Sequence, residues 1–520
     1  MKQLSYHTAI ALGGAAVLLL VYLARRRRND EAIPSDRLFP YPLGNFPAIL
    51  SYSSRQAMHE YFLHLGRKYG KIARFVLADR EYVILNDAAE AKRILTSPEW
   101  DKSEYQLKQL SGLNEASLLA LKGAEHRRHR KLLQPTLGPP HLRMAVDATV
   151  VAMQELLAQW PAVGSAEVGF LSNMTAVTMD VISAISFGQK IGMVTALKTG
   201  GEFPFLKDML RANEIQNDRT SNPEFLWPIL GLAAEQARSQ ITNLRAFLSK
   251  IIHEKRKALD LAGCNRSLRI DAGKVSADKK FELTSKWDVL DRLLMRSEES
   301  PREKLFTENE LQDTVMMFFQ GGTDTTALTL TNLILQLSQR PDVTLKLQEE
   351  LDSMLGKDGL PTYENLFQFK YLDWVIKEIM RLDPVAIGVQ SRSPLADTTL
   401  CGYPVTPKHN VTVNTIALHL SPDYWADPEL FIPERWADGF VPIPGSYLPF
   451  GDGAANCLGQ RLANIEARVV AIMLLQKYNF ELVEGQSITK VTRLLTGYKN
   501  DVKVRVMLRE IPAEHYVIAT

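Results

Sequence analysis

Residues Pro449–Val470 have the sequence PFGDGAANCLGQRLANIEARVV, in which a glycine-rich segment precedes the most informative cysteine of the chain. After Gly459 the apolar residues recur with helical spacing, which predicts an amphipathic helix to about Gln476. Cys457 is therefore predicted at the junction of a loop and a helix. Backbone N–H groups and the helix dipole at such a junction lower the pKa of a thiol and favour the thiolate.

A thiolate at this position could act as a nucleophile or as a metal ligand. A nucleophilic cysteine needs a neighbouring histidine base, and no histidine is near Cys457 in the sequence. A zinc site needs several cysteine or histidine ligands at short spacing, which this stretch lacks. A single thiolate as the only protein ligand suits haem iron, with the amides of the loop hydrogen-bonded to the sulfur.

Helical periodicity dominates the chain from about residue 54 to residue 380. The longest predicted helix is Thr307–Arg340, because Thr307 and Glu310 form a capping box and Pro341 stops the helix. Short runs with strand character are Ala73–Val76, Tyr82–Leu85, Asn410–Thr415, Glu481–Val483 and Lys503–Met507. The polar stretch 262–285 is predicted to be an exposed loop.

Three further motifs precede the cysteine loop. Glu378 and Arg381, in KEIMRLDP, share a predicted helix face and could form an ion pair, either structural or merely solvated. Pro433–Trp436 has the sequence PERW, and residues 321–326 of the long helix have the sequence GGTDTT. Each glycine there costs about 1 kcal/mol relative to Ala, and the hydroxyl groups can bond to the carbonyls of the preceding turn.

The GGTDTT segment therefore predicts a loosened, bent helix that a small molecule could approach closely. An ordinary bend in a core helix is the alternative. Met316, Phe318 and Phe319 lie just upstream and could line a pocket or belong to the core.

These motifs together resemble those of the cytochrome P450 family, the haem-thiolate monooxygenases. Phe450-x-x-Gly453-x-x-x-Cys457-x-Gly459 is similar to the family's cysteine-ligand loop, and the other motifs occur in the family's order and spacing. The resemblance covers essentially the whole chain and is strongest to microsomal, fungal-like members. It implies a mainly α fold with a minor sheet, built as one large haem domain, and haem b with an axial thiolate as the cofactor.

The resemblance also implies roles for individual residues. Cys457 would ligate the iron, and Phe450 and Gly451 would contact the cofactor. Asp324 and Thr325 would deliver protons during the activation of dioxygen. A buried structural network would consist of Glu378, Arg381 and Arg435.

Basic residues are expected to hold the haem propionates. His126 and Arg130, in GAEHRRHRKLL, share a helix face, and Arg392 lies in the segment QSRSPLADTTL. The family often has Trp where His126 stands, a mild difference because His can also donate a hydrogen bond. Ala455 stands where the family commonly has a basic residue, and this removes one expected propionate contact.

The N-terminal residues predict a single-pass membrane anchor. Residues 8–24, TAIALGGAAVLLLVYLA, carry no charge, and Arg25–Arg28 follow at once, so the positive-inside rule keeps the rest of the chain in the cytosol. A cleavable signal peptide is the alternative, but its strong charge would precede the apolar run. The predicted divisions are an anchor at 4–24, a basic and Pro-rich linker at 25–48 and a catalytic domain at 49–520. We expect the endoplasmic reticulum membrane as the location.

Composition agrees with a globular enzyme. The 520 residues are 46% hydrophobic and 23% charged, which excludes disordered, collagenous and polytopic membrane chains. A net charge of +2 argues against nucleic acid as the main partner. Cys264, Cys401 and Cys457 cannot build a disulfide framework, which indicates a reducing compartment.

The basic segment Lys122–Lys131 is either a solvated face or a docking surface for an acidic electron donor. The resemblance implies that NADPH–cytochrome reductase is this donor and that one atom of O2 enters an apolar small molecule.

Terpenoid, sterol, fatty acyl and polyketide-like substrates are candidates, with secondary-metabolite biosynthesis favoured. Two alternatives remain: a reductase-independent haem-thiolate enzyme that rearranges a peroxide, and a haem-free membrane adaptor with the same fold.

Overall fold

A computed structural model describes residues 33–38, 44–77, 80–222, 224–261, 288–299, 306–356, 358–388 and 391–509 of the chain. The predicted anchor at 4–24 lies outside these residues, as do the polar stretch 262–285, Cys264 and most of the predicted linker. Within the linker, Ile33 and Pro34 lie against the first strand, because the backbone N–H of Arg74 donates to the Pro34 carbonyl at 2.8 Å.

Helices predominate in the described residues, which confirms the mainly α class. The α-helices are α1 Phe46–Ser53, α2 Met58–Tyr69, α3 Ala88–Thr96, α4 Glu104–Lys108, α5 Gly123–Leu133, α6 Pro139–Leu157, α7 Phe170–Phe187, α8 Met193–Thr199, α9 Pro204–Ser221, α10 Ala234–Ser239, α11 Thr242–Leu261, α12 Val289–Glu299, α13 Glu308–Leu337, α14 Pro341–Leu355, α15 Lys370–Leu382, α16 Thr415–His419 and α17 Gln460–Lys477. The PERW segment, Pro433–Trp436, is a short 3-10 helix.

The strands form small sheets. They are β1 Ile72–Leu77, β2 Arg80–Leu85, β3 Trp100–Lys102, β4 Ser165–Gly169, β5 Ser391–Pro394, β6 Thr398–Leu400, β7 Tyr403–Val405, β8 Asn410–Val413, β9 Tyr478–Leu482, β10 Lys490–Thr492, β11 Thr496–Tyr498 and β12 Lys503–Leu508. The largest sheet has the order β1-β2-β8-β5-β3, in which only β2 and β8 are parallel. A second sheet has the order β4-β12-β9, and β6-β7 and β10-β11 are hairpins. Every predicted strand segment overlaps one of these strands.

The long helix α13 begins as the sequence predicts. Thr307 caps it, since its hydroxyl accepts from the Glu310 N–H at 3.3 Å while the Glu310 carboxylate accepts from the Thr307 N–H at 2.6 Å. The helix continues without interruption through GGTDTT to Leu337, and Pro341 opens the next helix. The capping box thus fixes the predicted start of the helix, but the helix ends at Leu337, three residues before the predicted Arg340.

Helix α13 packs against α7, and the contact places the upstream apolar residues of α13 in the core. Met316, Phe318 and Phe319 are all buried, and the Phe319 ring lies 5.2 Å from the ring of Phe187 on α7. These three residues are therefore core residues. Among the described residues, α7 is the one helix long and apolar enough to cross a membrane, but 72% of it is buried, as in the core helix of a globular domain.

The two glycines of α13 face different surroundings. A Cβ at Gly322 would lie 2.7 Å from the Ile182 side chain of α7, so the absence of a side chain permits the close approach of the two helices. A Cβ at Gly321 would have no atom within 4 Å. Gly321 therefore faces open space. Glycine at this position lowers helix propensity without permitting a close packing contact, unlike Gly322.

We expect Gly322→Ala to destabilise the chain and Gly321→Ala to leave it equally or more stable. The added methyl at residue 322 overpacks against Ile182, at a cost of about 1–3 kcal/mol, whereas Ala at residue 321 recovers up to about 1 kcal/mol of helix propensity. Urea unfolding of the two variants measures the difference. Equal changes in the free energy of unfolding for the two variants would show that Gly322 is not in close contact with Ile182 of α7.

Candidate haem-binding site

The loop before Cys457 is held by its own backbone and by a neighbouring helix. The Cys457 N–H donates to the Phe450 carbonyl at 2.8 Å and closes the loop. Gly451 and Gly453 have φ of +71° and +70°, a region that favours glycine. A Cβ at Gly453 would also lie 2.0 Å from the Leu95 carbonyl oxygen. Both glycines are therefore required by the local backbone.

Cys457 lies just before α17, as predicted, but the expected net fall in its thiol pKa is wrong. Burial raises the pKa of the Cys457 thiol, and this outweighs the lowering by the Gly459 N–H and the Arg130 cation. Cys457 is nevertheless exposed to solvent. A thiol in such surroundings is not an activated nucleophile, whereas a bound metal ion would deprotonate it outright.

Basic side chains converge beside the cysteine loop. Arg130 of α5 donates to the carbonyl oxygen and the side-chain oxygen of Asn456, each at 2.6 Å. Arg392 of β5 is 5% exposed, and burial lowers its pKa. His126 of α5 is also buried, and its pKa falls to about 4 through burial and the nearby Lys102 and Arg130 cations.

Lys102 of β3 completes a cationic cluster, which we define as Lys102, Arg130 and Arg392, and the neutral His126 lies beside it. Its Nζ donates to the Leu118 carbonyl at 2.6 Å and to the Leu121 carbonyl at 3.0 Å. Burial and the neighbouring arginines lower the pKa of Lys102 to about 7. Lys102 lies far from every motif in the sequence, and only the pairing of β3 with β5 brings it beside Arg392.

The cationic cluster fits the acidic groups of a haem. Asp101 is the one acidic side chain among the described residues that contributes to the shifts of both Lys102 and His126. Inward-facing cations with so little compensating charge are costly unless an anion binds among them. The carboxylates of a haem would supply such an anion, whereas the Lys102 ammonium already donates to the carbonyls of Leu118, Leu119 and Leu121.

Asp324 and Thr325 lie in the middle of α13. The Thr325 hydroxyl donates to the Gly321 carbonyl at 2.6 Å, the bond to the preceding turn that the sequence predicts. Burial raises the pKa of Asp324. Its carboxylate accepts from the side-chain amide of Asn213, on α9, at 3.4 Å.

A row of side-chain amides leads to Asp324. The Asn114 amide donates to Gln320 at 2.8 Å, and the Gln320 amide donates to Asn213 at 2.9 Å. Each amide donates toward Asp324, so every donor in the row points in the same direction. Sequence reasoning missed Asn114, Gln320 and Asn213, because three separate segments contribute them.

Helix α13 and the helix that follows the cysteine are packed together. Glu466 of α17 lies beside Thr326, whose hydroxyl hydrogen-bonds to the carboxyl group. Glu466 is 3% exposed, and burial raises its pKa well above the usual range. No cation pairs with Glu466 in the part of the chain that the structure describes. This contact between α13 and α17 holds the GGTDTT segment of α13 against the helix that follows the cysteine loop.

Glu378 and Arg381 are fully buried and form a bidentate pair with two N···O distances of 2.9 Å. The Glu378 carboxylate also accepts from Arg435 at 2.9 Å and from the Trp436 indole at 3.0 Å. The structure therefore brings together the three residues that the sequence assigns to one network, and Trp436 joins them.

Arg381 donates its remaining hydrogens to backbone carbonyls. The acceptors are His419 at 2.9 Å, Pro428 at 2.7 Å and Leu430 at 3.0 Å. The guanidinium thus ties α15 to the segment that precedes the cysteine loop. A buried charge with every donor satisfied is the arrangement in which an ion pair is tolerated in a core.

The basic segment Lys122–Lys131 is only partly on the surface. Arg127 and Lys131 are exposed, whereas His129 is buried. Arg128 donates to Glu125 at 2.9 Å and also pairs with Glu310. Arg128, His129 and Arg130 therefore serve contacts within the domain, and Lys122, Arg127 and Lys131 are the exposed basic residues that a partner could reach.

The fold and this arrangement are typical of a haem-thiolate enzyme, and sequence comparisons agree. The chain matches the Cytochrome P450 family model over residues 38–503. Protein LUTEIN DEFICIENT 5, chloroplastic, from Arabidopsis thaliana is 28% identical over 502 residues, which cover 93% of this chain and 79% of the relative. Cytochrome P450 4V2 from Rattus norvegicus is 27% identical over 504 residues, with coverages of 91% and 90%. Putative cytochrome P450 CYP13A3 from Caenorhabditis elegans is 31% identical over 394 residues, with coverages of 70% and 72%.

The chain therefore belongs to the cytochrome P450 family. Proteins of this family bind haem b through a cysteine thiolate and are monooxygenases, which confirms the predicted family, cofactor and enzyme class. The family also implies O2 and an apolar substrate, and typically a redox partner.

Proposed function

We propose that the chain is a membrane-anchored haem-thiolate monooxygenase in which Cys457 is the axial ligand of the iron. The observation that carries this proposal is the position of the Cys457 thiol. Cys457 is exposed, it lies just before α17, and the loop before it is closed by the Phe450 carbonyl. The other described cysteine, Cys401, lies in the turn between β6 and β7.

The propionates would be held by His126, Arg130 and Arg392. Phe450 and Gly451 would contact the cofactor from the cysteine side. His126 is neutral at physiological pH because its pKa is about 4, so it would donate an N–H rather than a charge. Arg130 already holds Asn456, so it would join the cofactor to the loop that carries Cys457.

Haem, when bound, supplies the activation of dioxygen, and the residues of α13 would supply protons. Asp324 would hold a proton at its buried carboxyl, where Asn213 orients it. Thr325 would pass the proton through its hydroxyl, which the Gly321 carbonyl keeps at a fixed position. The open space at Gly321 would leave room for the cofactor and its small ligands.

Thr325→Val and Asp324→Asn test these roles. We expect Thr325→Val to retain haem but to waste NADPH as peroxide, since a valine cannot relay a proton. Because burial raises the pKa of Asp324, the protonated form persists to higher pH, and turnover should fall as pH rises through that pKa. Asp324→Asn should remove this alkaline limb. Full coupling in Thr325→Val, or an unchanged limb in Asp324→Asn, would contradict the assignment.

The electron donor is proposed to be NADPH–cytochrome reductase, and the location to be the endoplasmic reticulum membrane. The uncharged run at residues 8–24 and the arginines that follow it support the anchor, with the catalytic domain in the cytosol. Arg127 and Lys131 are exposed on α5, the helix that also holds the cysteine loop through Arg130. An acidic donor docked at these residues would lie close to the cofactor.

The proposed substrate is an apolar small molecule of terpenoid, sterol, fatty acyl or polyketide type, in secondary-metabolite biosynthesis. The experiment is to combine the purified chain with reductase, NADPH and a panel of such compounds under ¹⁸O2. One ¹⁸O atom in the product, with NADPH consumed, supports the proposal. Conversion of a lipid peroxide without reductase or NADPH would instead indicate a peroxide-rearranging enzyme, and the absence of bound haem would indicate an adaptor.

A further inference from the structure

His419, the last residue of α16, is completely buried between two segments that are far apart in the chain. Its Nδ1 lies 3.1 Å from the carbonyl oxygen of Arg381, and its Nε2 accepts the backbone N–H of Leu448 at 2.8 Å. A carbonyl can only accept and an N–H can only donate, so the proton must be on Nδ1. The surroundings therefore fix the tautomer of this ring.

The bond to Leu448 continues toward the cysteine. The Leu448 carbonyl accepts from the Gly451 N–H at 3.2 Å, and the Phe450 carbonyl accepts from the Cys457 N–H at 2.8 Å. Hydrogen bonds thus connect the end of α15 to the cysteine loop, and His419 is the only side chain in this series.

The environment keeps the ring neutral and immobile. The Arg381 guanidinium donates to the His419 carbonyl at 2.9 Å, and the Tyr447 ring stacks on the imidazole with centroids 5.3 Å apart. Burial and the Arg381 cation lower the pKa of His419 to about 3. The Arg381 cation is itself paired with the Glu378 carboxylate. A neutral ring with an unprotonated Nε2 is the form that Leu448 requires.

We propose that His419 is a positioning residue for the Cys457 thiolate, because it fixes the backbone at Leu448 relative to the Glu378–Arg381 pair. The inference rests on the proposed function, since it concerns the geometry of the same ligand. Loss of the Nε2 acceptor would leave a buried N–H unpaired at Leu448 and free the loop to shift the sulfur. The global fold, which the Glu378–Arg381 pair supports separately, would remain.

His419→Asn and His419→Gln separate the two bonds of the ring. Asn keeps a donor for the Arg381 carbonyl but cannot reach Leu448, whereas the longer Gln can present an oxygen to the Leu448 N–H. His409→Gln is the matched control, since His409 also accepts a backbone N–H, from Thr406 at 2.9 Å, but in the turn before β8.

The readout is the red-shifted Soret band of the reduced, CO-bound holoprotein, followed over time while circular dichroism shows that the chain stays folded. We expect His419→Asn to lose the thiolate band roughly tenfold faster than the unmodified chain. His419→Gln and His409→Gln should keep it.

An unchanged band in a folded His419→Asn variant would overturn the proposal, even if its unfolding temperature fell. If that variant does not fold, His419→Gln decides: retention of the band supports the proposal, and rapid loss in a folded protein overturns it. Absence of the band from the unmodified chain would contradict the proposed function itself, so the two failures are distinguishable.

Discussion

Replacement of Cys457 by Ser is expected to abolish the red-shifted Soret band of the reduced, CO-bound protein and to reduce oxygenation to background. The alkoxide of serine is a poor replacement because the electron donation that favours O–O cleavage comes from the thiolate sulfur. The change removes one sulfur from a loop whose shape depends on backbone bonds, namely Cys457 N–H to Phe450 and the turn at Gly451. The fold should therefore survive, and circular dichroism should show an unchanged helical signal.

Cys401→Ser is the matched control for this variant. Cys401 is also a free cysteine, but burial raises the pKa of its thiol to about 11 and it lies in the β6–β7 turn. We expect its substitution to leave the spectrum and the activity unchanged. If the thiolate band survived in Cys457→Ser, or disappeared in Cys401→Ser, Cys457 would not be the ligand of the iron.

Arg381→Ala should cause a large loss of stability. It would leave the Glu378 carboxylate buried without its bidentate partner and three backbone carbonyls without a donor. Breaking a buried pair in this way costs about 3–5 kcal/mol. We expect a strongly lowered free energy of unfolding and a low fraction of haem-loaded protein, measured by denaturant unfolding and by the haem absorbance per chain.

Two other arginine variants serve as comparisons for the loss of stability in Arg381→Ala. Arg435→Ala removes one bond to Glu378 while the Arg381 pair persists, so a smaller loss of about 1.5–3 kcal/mol is expected. Arg505→Ala, on β12, removes an exposed pair with Glu167 of β4 and should cost less than about 1 kcal/mol. An Arg381 variant no less stable than the Arg505 variant would refute the buried network.

Much of this structure follows from local sequence rules. The capping box at Thr307 and the helix after Cys457 depend on neighbours in the chain, and both were predictable. The end of α13 was predicted less well, since the helix stops at Leu337, before Pro341. The pairing of Glu378 with Arg381 also follows from their spacing on one helix. Its burial does not follow, because the segments that cover it come from the region around His419 and Arg435.

The remaining features depend on tertiary contacts. Lys102 enters the cationic cluster only because β3 pairs with β5. Arg128 and His129 turn inward to Glu310, so a basic segment in the sequence becomes a smaller basic surface. The thiol pKa of Cys457 rises because desolvation, which no local pattern encodes, exceeds the effect of the helix terminus.

The most direct test of the central claim is the absorption spectrum of the purified, unmodified chain after reduction and exposure to CO. Ligation of haem iron by the Cys457 thiolate predicts one haem per chain and a strongly red-shifted Soret band. A Soret band at the position typical of histidine ligation, or a chain that binds no haem, would contradict the claim.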